Sequence, residues 1–166
     1  CGLPWQAPEL DANAIRNEKV KVLEAIRPFK LEEIDQHVVS GQYEPGLVGG
    51  EMALGYRQEE NVDEQSRVET FVAMKLFIDN WRWSSVPFYI RSGKRLPKRT
   101  TEIAIVFRNA PGALFLGKHK SYEQNLLVIR IQPNEGISLN FNCKIPGISN
   151  TIQPVKMDFK YGMYFG

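Results

Sequence analysis

The chain has 166 residues, 43% of them hydrophobic and 24% charged, the composition of an ordinary globular domain with a real core. Its net charge of +2 argues against a general nucleic-acid binder, which carries a large basic excess, and no apolar run is long enough to cross a bilayer as a helix. Cys1 and Cys143 make neither a disulfide framework nor a zinc spacing, and His37 and His119 stand far apart with no HxxxH or HxxE pattern, so a reducing compartment and no metal are expected.

Residues 1–10 contain Pro4 and Pro8 and read as a linker or extended arm. Residues 11–166 read as one domain, and a chain that opens at Cys1 and closes on Phe165 and Gly166 is expected to be part of a longer protein, incomplete at its C-terminus. Asp11 or Asn13 can cap a helix carrying Ile15, Val20, Val22, Leu23 and Ile26 near helical spacing and ending before Pro28. Residues 31–34 read as a turn and 37–43 as a strand, with Gly41 a candidate bulge. Residues 44–55 hold four glycines and a proline and read as a loop; 56–66 are polar and acidic and read as an exposed connection.

Strands are expected over 68–78, 86–90, 102–107, 125–132, 136–144 and 155–161, with a turn at 110–113. Ile137, Leu139, Phe141 and Cys143 alternate and predict a half-buried strand with those residues inward. One helix, then strands on short connections, predicts an α+β fold: a large, mainly antiparallel sheet with helices packed on one face. The other face must be polar or covered by a partner.

The informative stretch is NWRWSSVPFYIRSGKRLPKRTTEIAIVF, residues 80–107. Residues 91–99 carry five cations (Arg91, Lys94, Arg95, Lys98 and Arg99) and no acid, between two apolar strands. Gly93 allows a turn or a close approach, and Pro97 stiffens the segment. Such a loop can gather cations on a phosphate, where charge-assisted hydrogen bonds are about twice as strong as neutral ones. Arg supplies a planar fork and Lys a point charge, so the two can hold different oxygens of one phosphate.

No nucleotide-binding glycine motif, zinc-protease motif or nucleophile triad can be proposed from spacing, so no catalytic residue is expected in this chain. Glu69, Asp79, Glu102 and Glu135 read as structural or exposed acids, and Trp81 and Trp83 as residues packed under the sheet rather than stacking platforms. A rival reading is a non-enzymatic anion- or RNA-binding module using the basic loop 91–99 together with Trp81 and Trp83.

The string NxRWxxVPFYIRSGKRL resembles the C-terminal domain of the glucose-6-phosphate dehydrogenase family. RNEKVKVL at 16–23, GQY at 41–43, GY at 55–56, TFVA at 70–73, VIRIQPNE at 128–135 and MDFKYG at 157–162 resemble family segments in the same order. The resemblance implies oxidation of glucose 6-phosphate at C1 with reduction of NADP, giving 6-phosphogluconolactone, the entry step of the oxidative pentose phosphate pathway. It implies that the NADP-binding Rossmann domain and the catalytic His-Asp pair lie in family segments upstream of Cys1, so that this chain alone is inactive. Residue by residue it implies that Lys94 and Arg99 bind the substrate phosphate or sugar and that Gln132 lies at the substrate pocket.

Some family members also hold a second, structural NADP, and Arg91, Arg130 and Asp158 match part of that site. Thr100, Ala104, Ser138 and Asn140 stand where those members carry basic or aromatic side chains, which removes several phosphate contacts. Further implications are a cytoplasmic homodimer or homotetramer paired through the sheet, with no metal, no nucleic acid and no membrane partner.

Overall fold

The computed structural model describes residues 11–109, 123–147 and 152–163. The arm at 1–10, the turn at 110–113 and His119 lie outside the described residues. The chain divides into two compact units, Cys1–Pro97 and Lys98–Gly166.

In the first unit, α1 (Ala12–Glu24) starts where Asp11 Oδ1 accepts from the amides of Asn13 and Ala14, at 2.7 and 3.0 Å. This satisfies two of the orphan donors at a helix start. α1 buries no side chain; Val20 and Leu23 of its apolar stripe are exposed. Beyond it the chain clips onto the sheet. Ile26 bridges Ile78, the Arg27 amide donates to Phe77 O at 2.9 Å, and Asp79 N donates to Ala25 O at 2.8 Å. The Arg27 guanidinium grips Asp79 through two bonds, 2.6 and 3.0 Å.

The turn expected at 31–34 is a 3-10 helix (Leu31–Glu33) running into α2 (Ile34–His37). α2 lies against β1 (Val38–Gly41) and β4 (Phe71–Phe77), and His37 sits between the rings of Phe29 and Phe77. With β5 (Pro87–Gly93) these strands form an antiparallel sheet in the order β1-β4-β5. The segment expected as a plain loop at 44–55 contains a hairpin, β2 (Gly46–Val48) and β3 (Glu51–Ala53). Its two-residue link is Gly49-Gly50, both at positive φ (63° and 93°), the geometry a tight hairpin turn requires.

In the second unit β6 (Thr101–Val106), β7 (Leu126–Gln132), β8 (Gly136–Lys144) and β9 (Ile152–Lys160) form one antiparallel sheet in chain order. The α+β class and the antiparallel pairing stand. The described strands are shared among sheets of three, two and four strands, where the sequence predicts one large sheet.

The register sets Ile103, Ile129, Ile137 and Phe159 side by side across this sheet, with Ile105, Leu127, Leu139 and Met157 as the next row. The alternation of β8 is therefore real, and its middle is half-buried as expected, but burial reverses at its start. Ile137 is 37% exposed, whereas Ser138, pointing to the other face, is 3% exposed. The reason is cross-strand chemistry: Ser138 pairs with Asp158, and the polar network there closes over it.

The β7–β8 turn passes through Asn134 at φ 59° and returns at Gly136. A Cβ on Gly136 would lie 2.4 Å from the backbone oxygen of Phe159, an approach that only glycine allows. Gly136→Ala is expected to cost about 1–3 kcal/mol by overpacking against backbone that cannot move aside. Chemical denaturation reads this as a lower midpoint; an unchanged midpoint would mean that β9 yields at no cost.

Candidate functional site

The basic segment is not a free loop along its whole length. β5 continues through Gly93, so Arg91 stands within the strand, opposite Ala73. Gly93 is needed there because a Cβ would lie 2.8 Å from the Phe71 ring and 3.3 Å from Thr70 O. The chain leaves the sheet at Lys94, whose amide donates to Thr70 O at 2.8 Å.

Arg95 is committed elsewhere. Its guanidinium pairs with Glu59 and lies over the Tyr43 ring, 5.5 Å from the centroid, while Tyr43 OH donates to the same Glu59 oxygen at 3.0 Å. The hydrogen bond from Arg95, then that from Tyr43, holds the Glu59 carboxyl below its ordinary pKa, and Glu59 in turn raises that of Arg95. Of the five cations singled out in the sequence, Arg91, Lys94, Lys98 and Arg99 have no ion pair among the described residues.

The two tryptophans part company. Trp83 packs edge-on to Phe88 at 5.3 Å, and its amide donates to Asn80 Oδ1 at 2.9 Å. Trp81 is fully exposed, contrary to the expectation that it packs under the sheet; the turn at 81–85 that holds Trp83 inward directs Trp81 outward. Asp79 is held by Arg27, while Glu69, Glu102 and Glu135 have no ion pair among the described residues. No group of three or more His, Cys, Asp or Glu side chains among the described residues could hold a metal ion.

In the second unit Thr101 of β6 pairs with Gln132 of β7, and Thr100 Oγ1 donates to Gln132 O at 3.3 Å. That pairing sets Arg99 beside Gln132. Together with Thr100, Thr101 and Pro133 they line a surface cavity of about 400 Å³. A second cavity in the same unit, about 380 Å³, is lined by Lys98, Thr100, Arg130, Pro133, Asn134 and Lys160. The structure thus brings Arg99 and Gln132 together, whereas Lys94 belongs to the first unit. Nothing in the sequence singles out Thr101, and Lys160, although it lies in the MDFKYG segment, carries no role there; strand register places both at these cavities.

Of the residues matched to a structural dinucleotide, Arg130 and Asp158 form an ion pair, while Arg130 Nε is buried with no hydrogen-bond partner among the described residues. Asp158 Oδ1 accepts from Arg130 Nη2 at 2.8 Å and from Ser138 Oγ, with Lys156 Nζ 3.8 Å from Oδ2. The Ser138 hydroxyl first, then Arg130, pulls the Asp158 pKa down to about 2. Arg91 lies in the other unit, in β5.

A family model described as the C-terminal domain of glucose-6-phosphate dehydrogenase matches residues 6–166. The chain is 52% identical to a glucose-6-phosphate 1-dehydrogenase of Chlamydia pneumoniae over 99% of this chain and 32% of that protein. It is 47% identical to the Bacillus subtilis protein of that name, over 91% of this chain and 31% of the other. Among solved structures, a glucose-6-phosphate dehydrogenase in complex with its substrate glucose-6-phosphate matches 96% of this chain and 31% of its own, with a TM-score of 0.79 and 37% identity. The glucose-6-phosphate 1-dehydrogenase from Mycobacterium avium matches with a TM-score of 0.72 and 30% identity, over 92% of this chain and 30% of that one. The chain spans about a third of the length of the curated relatives it matches.

The Asp158 network generates a pH prediction. Its carboxyl has a folded pKa of about 2 against an ordinary 3.8. A depressed carboxyl contributes stability that is complete above the unfolded value and is lost as pH falls through the folded one. Stability is therefore expected to decline between about pH 4 and pH 2, and the decline should be shallower in Asp158→Asn. Denaturation midpoints measured across that window check this, and identical slopes in both proteins would rule it out.

Proposed function

This chain belongs to the glucose-6-phosphate dehydrogenase family through its C-terminal domain, and we propose that it is the substrate-binding and oligomerisation domain of an enzyme oxidising D-glucose 6-phosphate to 6-phosphogluconolactone with NADP. The observation that carries the reading is the match of 96% of the chain to a family member solved with glucose 6-phosphate. In this reading Lys94 and Arg99 neutralise the substrate phosphate and Gln132 supports the pocket. Two features support these roles: Lys94 is exposed without an ion pair among the described residues, and Arg99 and Gln132 line one surface cavity.

The chemistry divides accordingly. NADP, when bound, supplies the hydride acceptor for C1, and its binding together with the general base is assigned to protein outside this chain. The residues here hold the far end of the substrate, so their binding free energy orients C1 rather than acting on it. For a second, structural dinucleotide the donor set fits poorly. Asp158 is taken up by Ser138 and Arg130, and of these three residues only Arg130 Nε, buried with no hydrogen-bond partner among the described residues, is a donor left over. The domain is read as standing without it.

Association as a homodimer or homotetramer in the cytoplasm completes the proposal. Its support is the apolar face of the four-stranded sheet, where Ile103, Ile137, Met157 and Phe159 are all exposed. An apolar area of that kind is what an interface between subunits covers. The entry step of the oxidative pentose phosphate pathway is the corresponding metabolic role.

In the whole enzyme, Lys94→Ala is expected to raise KM for glucose 6-phosphate about 100-fold and Arg99→Ala about tenfold, the range for removing one partner of a phosphate contact. The KM for the coenzyme should stay unchanged. Steady-state kinetics with both substrates varied decide this, and an unchanged glucose 6-phosphate KM in both variants would remove the assigned roles. Binding by this chain that falls steeply with salt and shows no preference over inorganic phosphate would instead favour a polyanion module.

A further inference from the structure

The five cations of residues 91–99 look equivalent in the sequence, yet the structure sets Arg95 apart. It neighbours Lys94, points to protein rather than to solvent anions, and has a backbone φ of +52°. A non-glycine residue there costs on the order of 1 kcal/mol and persists only when its surroundings hold it. The surroundings are the Glu59 carboxylate, bonded to the guanidinium, and the Tyr43 ring beneath it.

We propose that Arg95 is a positioning residue: its ion pair with Glu59, closed by Tyr43, sets the chain direction at Lys94 so that the Lys94 ammonium meets the substrate phosphate. The inference rests on the assignment of Lys94 as a phosphate ligand. Lys94 is pinned on its N-terminal side by the bond from its amide to Thr70 O and by the close packing of Gly93 on Phe71. Arg95 pins the C-terminal side. With both neighbours held, only the lysine side chain remains free to search, which lowers the ordering needed on binding.

Glu59 is itself firmly placed, as a positioning anchor must be. It comes directly after the 3-10 turn Tyr56–Gln58, whose start is capped by the bond from Gly55 N to Gln58 Oε1 at 3.0 Å. The Tyr56 amide donates to Tyr43 O at 3.0 Å, so the acid and its aromatic partner are tied through the backbone as well. Arg57 Nε donates to Gln42 Oε1 at 2.8 Å, and Gln42 Nε2 reaches Ser66 O and Val68 O, both at 2.9 Å, anchoring the rest of the connection. The depressed pKa of Glu59 keeps the pair ionised through the neutral range.

The pair has an electrostatic role too. An unpaired Glu59 would offer Lys94 a rival anion, and an unpaired Arg95 would draw phosphate toward a second orientation. Neutralising each with the other leaves one productive direction at this point of the chain. This separates a positioning residue from a ligand by the sign of one substitution. If Arg95 were a phosphate ligand restrained by Glu59, freeing it would tighten substrate binding.

The test is steady-state kinetics on the whole enzyme with Glu59→Gln, Arg95→Ala, Arg95→Lys and Lys94→Ala, and with Arg95→Ala combined with Lys94→Ala. Glu59→Gln and Arg95→Ala should each raise KM for glucose 6-phosphate about tenfold, the scale of a misplaced binding group. Both kcat and the coenzyme KM should hold within about twofold, a split that general unfolding does not produce. Arg95→Lys should recover part of the loss, and Arg95→Ala should add nothing on the Lys94→Ala background. A lower KM in Glu59→Gln, an unchanged KM in Arg95→Ala, or full additivity with Lys94→Ala would overturn the proposal. An unchanged KM in Lys94→Ala would remove the phosphate-ligand reading and this inference with it. A raised KM in Lys94→Ala beside an unchanged one in Arg95→Ala would remove the positioning role alone.

Discussion

The first unit is tied together at Thr70. Its carbonyl accepts the Lys94 amide, its hydroxyl accepts the Tyr43 amide at 3.0 Å, and its own amide donates to Gly41 O at 2.9 Å. One residue thus joins the ends of β1 and β5 to the start of β4, and hands the chain over to the basic segment on one side and to Tyr43 on the other. Backbone groups removed from water must find such partners, and here they find them at the point where the basic segment leaves the sheet. The missing Cβ of Gly93 is the second half of this constraint, because a larger residue would push β5 away from Phe71 and Thr70. The exit direction of Lys94 and the reach of Arg95 toward Glu59 both depend on that closeness.

The second unit solves a different problem. Its register sets two rows of apolar side chains on one sheet face, with several of them exposed, while Ser138, Asp158 and Arg130 form a polar network on the other. A nearly buried hydroxyl is tolerable because it is paired with a carboxylate, and the carboxylate because it also meets a guanidinium. The sheet is therefore specified by polar contacts at one end and left with exposed apolar side chains. The residues lining the two cavities described above come from neighbouring strand ends, so the β6–β7 register decides which polar groups meet there.

Much of the fold was legible locally. Asp11 as a cap, the strand at 136–144 and the strand at 126–132 arise from short-range patterns, because capping geometry and side-chain alternation act between near neighbours. The Gly49-Gly50 hairpin was missed, because the density of glycine around it reads as loop. Burial was not legible. Which face of β8 closes is settled by Asp158, twenty residues away in sequence, and no alternation pattern encodes that.

The sequence by itself determined the class of the protein: an antiparallel α+β domain with a cation-rich segment set between apolar strands. Residue type and order suffice for that, because strand propensity and local charge are properties of neighbours along the chain. Tertiary structure decided which charges are free. Arg95 and Lys94 are adjacent and of like charge, yet Glu59, 36 residues before Arg95, takes one and leaves the other. Ion pairing depends on distance in space, and the folded chain, not the order of residues, sets that distance.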